Sequence, residues 1–260
     1  MRLLFIGDIV GGPGIRAVRE LLPGLVSEYQ ASLVVANGEY AAQGFGLTKT
    51  VVEQLFGCGI HVITTGNHVW DKQNILSFIA KEDRLLRPAN YPEGAPGKGS
   101  VLVGAAGGHR VGILNLSGRV FMDNLDCPFR AAQCELEKLQ GDADAVFVDM
   151  HAEATSEKIS MGWFLDGKVS GVFGTHTHVQ TADEKILPRG TAYITDVGMT
   201  GAFDSVIGLD KELSLKRFLR QMPYSFKVAT DDIAVNAVCV ETETSTGKAI
   251  AISRIQRRLC

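Results

Sequence analysis

The sequence lacks the features that define several large classes of protein. It contains no apolar stretch of the ~18–20 residues that a membrane-spanning helix requires. It also has no run of basic residues, so we expect neither a membrane nor a long nucleic acid as a partner. The five cysteines are odd in number and have no CxxC spacing, which argues against a disulfide framework and a thiolate zinc site. Because the first strand-like run begins at residue 2, we expect no signal peptide and a reduced, cytoplasmic setting.

The composition and the apolar pattern predict a large α/β protein. With 260 residues, 45% of them hydrophobic, and a formal charge of −3, the chain is able to bury a large core. No repeat or linker divides it, so we expect a single domain over residues 1–260. Strand-like runs alternate with helix-like segments in the first half, and the later hairpins are not βαβ crossovers. We therefore predict a mixed architecture with two sheets and with helices outside them.

Periodicity and turn residues locate individual elements. The predicted helices cover residues 13–29, 48–58, 71–79, 128–139, 156–165 and 209–220. Pro23-Gly24 is expected to kink or break the first helix. Gly107-Gly108 predicts the turn of a β-hairpin between the apolar runs 101–103 and 111–116. Further strands are predicted at 233–240 and 249–255.

Five short apolar runs each end at residues that are able to bind a metal ion. These residues are Asp8, Glu39, Asn67 with His68, His151, and the pair His176 and His178. In an open α/β sheet, ligands collect just beyond the carboxyl ends of the strands. We therefore expect the five strand ends to converge on one crevice that holds two metal ions.

The segment Gly174 to His178 carries the strongest local signal. If it is extended, His176 and His178 point to the same side, because alternate residues of a strand share a face. A set of oxygen and nitrogen ligands suits Fe, Mn, Zn or Co better than Mg or Ca. Two such ions hold a phosphate and activate a bridging water, and Glu39 or Asp8 is the natural bridging ligand. Arg119 follows another predicted strand, where it either approaches the phosphate or lies on the surface.

The order GD…GNH…H…GTHTH resembles the calcineurin-like metallophosphoesterase superfamily. Two departures, Val10 in place of a histidine and Glu39 in place of an aspartate, are similar to the YmdB-like bacterial metallophosphoesterases. The resemblance runs through nearly the whole chain, including NLSGRVFM, HAEATSEK and TDVGMTG. It implies a four-layer α/β/β/α sandwich with two mixed sheets and two ions, iron or manganese. It also implies 2′,3′-cyclic nucleotide phosphodiesterase activity and a role in bacterial regulation.

The resemblance also implies a role for each candidate residue. One ion is expected to bind Asp8, Glu39 and His178. The other is expected to bind Glu39, Asn67, His151 and His176, with Glu39 bridging, and His68 is expected to give a proton to the leaving oxygen.

The family normally has an asparagine ligand of the first ion where this chain has Tyr40. A tyrosine has no amide oxygen. We expect Tyr40 to turn away and to leave the first site one ligand poorer; alternatively, its phenolate binds Fe³⁺. We therefore predict that the first site binds metal more weakly than in relatives.

The expected reaction is hydrolysis of a small phosphodiester by attack of a metal-bound hydroxide. Two alternatives stay open. One is a phosphomonoesterase or protein phosphatase that uses the same ions. The other is a regulatory module that senses a metal or a nucleotide and whose turnover is incidental. We expect the chain to form a homo-oligomer, as relatives commonly do.

Overall fold

The computed structural model describes residues 1–139 and 141–259. The α-helices are α1 (Gly11–Tyr29), α2 (Lys49–Gly57), α3 (Pro128–Leu139), α4 (Thr155–Leu165) and α5 (Lys211–Arg220). None of the helices in these ranges is long and apolar enough to cross a membrane. The strands are β1 (Arg2–Ile6), β2 (Asp8–Ile9), β3 (Leu33–Asn37), β4 (Val62–Thr64), β5 (Ser100–Gly104), β6 (Arg110–Ser117), β7 (Ala145–His151), β8 (Gly171–Thr175), β9 (Lys185–Ile186), β10 (Ala192–Ile194), β11 (Met199–Ala202), β12 (Ile233–Thr242) and β13 (Ala249–Arg258).

The strands of the described ranges form two mixed sheets. The first has the order β2-β11-β12-β1-β3-β4, with β13 paired to β12. The second has the order β5-β6-β7-β8-β10-β9. Strands β1, β3 and β4 are parallel, as are β6, β7, β8 and β10. The predicted hairpin is confirmed, since β5 and β6 pair antiparallel from Ser100 with Leu114 to Gly104 with Arg110.

Alternation along each strand divides the core into layers. Leu3 and Phe5 of β1 pack with Val111 and Phe147 of the second sheet, so this cluster lies between the two sheets. The other faces of the two sheets are covered by helices. Residues of β1 and β3 pack with α1 and α2, and residues of β6, β7 and β8 pack with α3 and α4. The predicted four-layer α/β/β/α sandwich is therefore confirmed, whereas its description as a single domain stays a prediction.

Two helix predictions need correction. Helix α1 is not broken, because it continues through Pro23. Its buried residues lie on both sides of the proline, at Val18 and Leu22 before it and Leu25 after it, so packing on the sheet holds the helix together. The predicted helix over 71–79 is replaced by two short 3-10 turns, Gln73–Ser77 and Ile79–Lys81. In Gln73–Ser77 only Ile75 is buried, so this segment has no continuous apolar face to support an α-helix.

Candidate metal centre

The polar residues predicted to meet at the strand ends lie in one region of the structure. Each stands at or just after the carboxyl end of a strand: Asp8 after β1, Glu39 after β3, Asn67 and His68 after β4, His151 at the end of β7, and His176 and His178 after β8. The strand ends of both sheets therefore contribute, as expected for an α/β crevice.

Four ligand-type side chains form the densest cluster, and His151 lies at its centre. Its Nε2 atom is 2.5 Å from Glu39 Oε2, 3.0 Å from His176 Nδ1 and 3.2 Å from Asn67 Oδ1. One ligand atom each from Glu39, His151 and His176 falls within a mutual distance of 4.8 Å. Ligands bonded to one ion at roughly 2.1 Å lie about 3 Å apart, so this spacing fits a common metal.

A buried hydrogen-bond chain orients His151. The hydroxyl of Thr175 donates to Asp149 Oδ1 over 2.7 Å, so it is free to accept from His151 Nδ1 at 2.9 Å. His151 Nε2 therefore carries a lone pair that faces the Glu39 carboxylate. Two facing electron donors repel each other, and a cation between them removes this repulsion. Such outer partners commonly fix the tautomer of a metal-binding histidine.

A second group of donors lies beside the first. Asp8 Oδ1, Glu39 Oε2 and His178 Nε2 are buried and make no hydrogen bond. His178 Nδ1 lies 2.8 Å from the Ile207 carbonyl and donates to it, which leaves Nε2 as a lone pair. Buried polar atoms normally have a hydrogen-bond partner. Three such atoms without a partner, each with a lone pair, therefore suit the binding of a cation. The residues present therefore fit the binding of metal at this place.

Burial sets the protonation of these side chains in the absence of metal. It raises the pKa of Glu39 to about 7 and that of Asp8 well above its ordinary value. The pKa of His176 is lowered to about 2, mainly by burial and then by the nearby His151. The pKa values of His151 and His178 are also lowered, by burial first. The imidazoles are therefore neutral, which is the form that binds a metal.

His68 lies at the edge of the cluster and is partly exposed. Its Nδ1 atom is 2.9 Å from Asp71 Oδ2, so the carboxylate accepts a hydrogen bond from Nδ1–H and fixes the orientation of the ring. Its backbone N–H donates to Glu39 Oε1. The side chain lines a cavity of about 430 Å³ together with His176 and His178. This position combines contact with solvent and nearness to the ligand cluster, as a proton donor requires.

Comparisons with known proteins give the family. The profile described as "YmdB-like protein" matches residues 4–255. The chain belongs to this family. A 2′,3′-cyclic-nucleotide 2′-phosphodiesterase of Bacillus subtilis is 48% identical over 255 residues, covering 98% of this chain and 96% of that protein. A putative phosphatase/phosphodiesterase of Mycoplasma genitalium is 36% identical, covering 98% of this chain and 92% of the relative.

Solved structures of similar proteins have the same fold. A hypothetical protein from Thermus thermophilus is 43% identical, covers 99% of both chains and superposes with a TM-score of 0.93. A phosphatase from Mycoplasma pneumoniae is 35% identical, with a TM-score of 0.93, and the match covers 99% of this chain and 93% of that one. The expected membership of the YmdB-like family is thus confirmed.

In this YmdB-like chain, the segment that carries the paired histidines is not extended. Strand β8 ends at Thr175, and His176 and His178 have φ values of 97° and 64°. The expected extended conformation is therefore wrong, although both imidazoles line the same cavity. Side chains with a Cβ rarely adopt positive φ, and such conformations are maintained by the surrounding structure.

A buried ion pair holds this segment. Asp196 Oδ2 lies 2.6 Å from Lys158 Nζ and accepts hydrogen bonds from the Thr177 backbone and hydroxyl. Lys158 and Asp196 are both fully buried. The pair thus connects helix α4 to the turn between the two histidines.

Tyr40 points into the cluster rather than away from it. Its hydroxyl is 3.1 Å from His176 Nδ1, and its ring packs edge-on against His178 with centroids 4.5 Å apart. Burial raises the pKa of the phenol well above its ordinary value, so the metal-free protein holds it neutral. The expectation that Tyr40 turns away is therefore wrong. The side chain touches proposed ligands of both ions.

The position of Arg119 gives no support to its suggested role. Its side chain is exposed and does not line the 430 Å³ cavity, and its backbone N–H donates to Glu157. Phosphate binding by Arg119 stays a prediction.

Sequence reasoning missed residues that hold the ligands. Asp149 accepts hydrogen bonds from Asn37, Thr64 and Thr175, and Asp71 binds His68. Asp149 stands two residues before His151 in β7, so the two side chains lie on the same face of the strand. The sequence around Asp149 does not distinguish it from a residue of the core. Its partners come from three separate strands, so no local sequence pattern predicts this hydrogen-bond network.

Proposed function

We propose that this protein is a metal-dependent phosphodiesterase that hydrolyses small phosphodiesters, with 2′,3′-cyclic nucleotides as the substrate class. One observation carries the proposal. Three buried atoms with lone pairs, on Asp8, Glu39 and His178, make no hydrogen bond, and they lie beside the cluster around His151. The name of the Bacillus subtilis relative supports the choice of substrate. The Mycoplasma relatives, named as putative phosphatases/phosphodiesterases, support the same reaction class.

The proposed ligands divide into two sets that share one carboxylate. Asp8, Glu39 and His178 would hold one ion, and Glu39, Asn67, His151 and His176 would hold the other. When bound, such ions neutralise phosphate oxygens and lower the pKa of water. The mixed oxygen and nitrogen set suits Fe, Mn, Zn or Co, and the family resemblance is the reason to propose Fe or Mn among them.

His68 is proposed to supply the proton. In the hydrolysis of a cyclic diester, a water oxygen forms a bond to phosphorus and one bond between phosphorus and a ribose oxygen breaks. The ribose oxygen takes up a proton and leaves as an alcohol. Asp71 accepts a hydrogen bond from Nδ1 and orients the ring, so Nε2 is the nitrogen that gives a proton to the leaving oxygen. General acid catalysis of this kind is worth about 10²- to 10⁴-fold in rate.

A substrate panel tests the proposal. The protein loaded with Mn²⁺ or Fe²⁺ is assayed on 2′,3′-cAMP, bis(p-nitrophenyl) phosphate and p-nitrophenyl phosphate. We expect His68→Ala to lower kcat on 2′,3′-cAMP about 10²- to 10⁴-fold and to affect the p-nitrophenyl diester less, because nitrophenolate leaves without a proton. His109→Ala, in the turn between β5 and β6, is the matched control.

Other outcomes favour the alternatives. Preference for p-nitrophenyl phosphate indicates a phosphomonoesterase or protein phosphatase. Absence of turnover on every substrate supports a regulatory module and overturns the proposal.

Elemental analysis identifies the metal and its amount. Tyr40 contacts His176 and His178, so we propose that the chain loses part of its metal during dialysis and that Tyr40→Asn retains more. Two full equivalents in the parent protein would contradict this. A visible absorption band from phenolate to iron would indicate that Tyr40 is a ligand.

The remaining proposals concern the setting of the protein. Cys58, Cys127, Cys134 and Cys239 are unpaired, which supports a reducing cytoplasm. We retain the prediction of a homo-oligomer, which the elution volume in size-exclusion chromatography tests.

A further inference from the structure

Two kinds of side chain line the cavity beside the proposed metal ligands. They are the histidines His68, His176 and His178 and the apolar residues Phe45, Leu209 and Phe226. Within the described ranges, no lysine or arginine lines this cavity. Beside the histidines, the lining thus offers apolar surface and no lysine or arginine for a second phosphate. At about 430 Å³ the cavity is in the size range of small-ligand sites.

Three of the apolar lining residues, Ile207, Leu209 and Phe226, belong to one segment, residues 206–228, which we call the flap. The Asp210 N–H donates to the Lys227 carbonyl, and the Ala229 N–H donates to the Gly208 carbonyl. These bonds bring the two ends of the flap together, so that Leu209 and Phe226 line the same cavity. The Ile207 carbonyl in the flap also accepts from His178. The flap is therefore hydrogen-bonded to one of the proposed metal ligands.

Phe226 has a large part of its ring exposed to solvent, and the contacts of the ring leave this part uncovered. Its side chain is 52% exposed, although it is a large apolar ring. Arg217, which lines the neighbouring cavity and not this one, stacks on Phe226 with 4.8 Å to the ring centroid. The ring also meets Phe45 with centroids 5.1 Å apart, and Phe45 meets His68 at the same separation. Phe226 thus stands one aromatic ring beyond the proposed proton donor.

We propose that Phe226 and its apolar neighbours form a subsite for the nucleobase of the substrate. The inference rests on the proposed function, since it takes the phosphate to lie at the histidines. A ribose joins the cyclic phosphate to the base. With the phosphate at the histidines, the ribose would lie beside Phe45 and the base would lie on Phe226. A base stacked on Phe226 covers its exposed surface, and aromatic stacking accepts any base because every base has a π-face. The lack of lysine and arginine in the lining favours a single nucleotide over a substrate with further phosphates.

Two cyclic diesters separate the subsite from the reaction. 2′,3′-cAMP and glycerol 1,2-cyclic phosphate have the same strained five-membered ring, but only the first has a base. We expect Phe226→Ala to lower kcat/KM for 2′,3′-cAMP about 5- to 100-fold and to leave kcat/KM for the glycerol diester unchanged. Phe226→Trp should restore the nucleotide activity. Phe218→Ala, at an exposed phenylalanine of the flap that does not line the metal cavity, is the matched control.

Each other result overturns the inference. An equal loss on both substrates, or a loss of bound metal in Phe226→Ala, shows that Phe226 only supports the flap. Equal kcat/KM values of the parent protein for the two diesters show that the base is not recognised, although the phosphodiesterase activity stands. No turnover of either diester refutes the proposed function, and the subsite with it.

Discussion

Gly66 lies against the proposed metal ligands with no room for a side chain. A Cβ atom at this position would overlap the His151 ring and the Glu39 carboxylate, at the place where the two face each other. Its φ is not positive, so the backbone conformation does not require a glycine here. The close approach of His151 and Glu39 does. A single methyl group here competes for the space of the ligands themselves.

We therefore predict that Gly66→Ala loses metal. The added methyl has to displace His151 or Glu39, and overpacking of this kind costs about 1–3 kcal/mol of stability. Metal content by elemental analysis and turnover of 2′,3′-cAMP should both fall. Gly24→Ala is a suitable control, since a Cβ at Gly24 meets nothing within 4 Å. Full metal content in Gly66→Ala would show that the ligands do not occupy these positions.

At the scale of elements, the turn from Thr175 to His178 depends on helix α4. Asp196 receives the Lys158 ammonium on one side and the Thr177 N–H and hydroxyl on the other. Its second oxygen, Oδ1, accepts from the Gly198 N–H. The positive φ values of His176 and His178 are thus held by an ion pair that belongs to neither residue.

Removal of the lysine should damage both the fold and the metal centre. Lys158→Met leaves the Asp196 carboxylate buried without its cation, a change that costs roughly 3–5 kcal/mol. We expect this loss of unfolding free energy in denaturant titration, together with weaker metal binding. Lys216→Met, at an exposed lysine of α5, serves as the control. A loss within about 0.5 kcal/mol, the usual range for surface changes, would mean that the ion pair does not hold the turn.

At the scale of the whole molecule, metal binding and stability are coupled through Glu39. In the metal-free protein, burial raises its pKa to about 7 from 4.5. The folded state therefore binds this proton more tightly than the unfolded chain. The stability that comes from the neutral side chain is complete below pH 4.5 and is lost as the pH rises through 7. A metal ion displaces the proton and stabilises the folded charged form.

The increase in Tm on addition of Mn²⁺ should consequently be larger at pH 8 than at pH 6. Near pH 6 the metal competes with the Glu39 proton, whereas at pH 8 the metal-free protein carries an uncompensated buried charge. Differential scanning calorimetry at pH 6, 7 and 8, with and without Mn²⁺, measures the effect. In Glu39→Gln, which does not titrate, the dependence on pH should be reduced. A metal-induced shift of the same size at every pH would refute the coupling.

The sequence by itself determined which strands exist and what stands at their ends. The apolar runs before Asp8, Glu39, Asn67, His151 and His176 are short and bounded by polar residues, which is a local signal. Burial of each run makes it a strand, and the carboxyl ends of parallel strands share one edge of the sheet. The family resemblance then supplied the four-layer fold and the expected roles.

Only the tertiary structure decided the conformation between those strands. Helix α1 passes through Pro23 because its buried face packs on the first sheet. His176 and His178 adopt positive φ because Lys158 and Asp196 hold Thr177 between them. Tyr40 points inward, against two histidines that are distant in the chain. These features depend on contacts between residues far apart in sequence, whose energies no local pattern of residues contains.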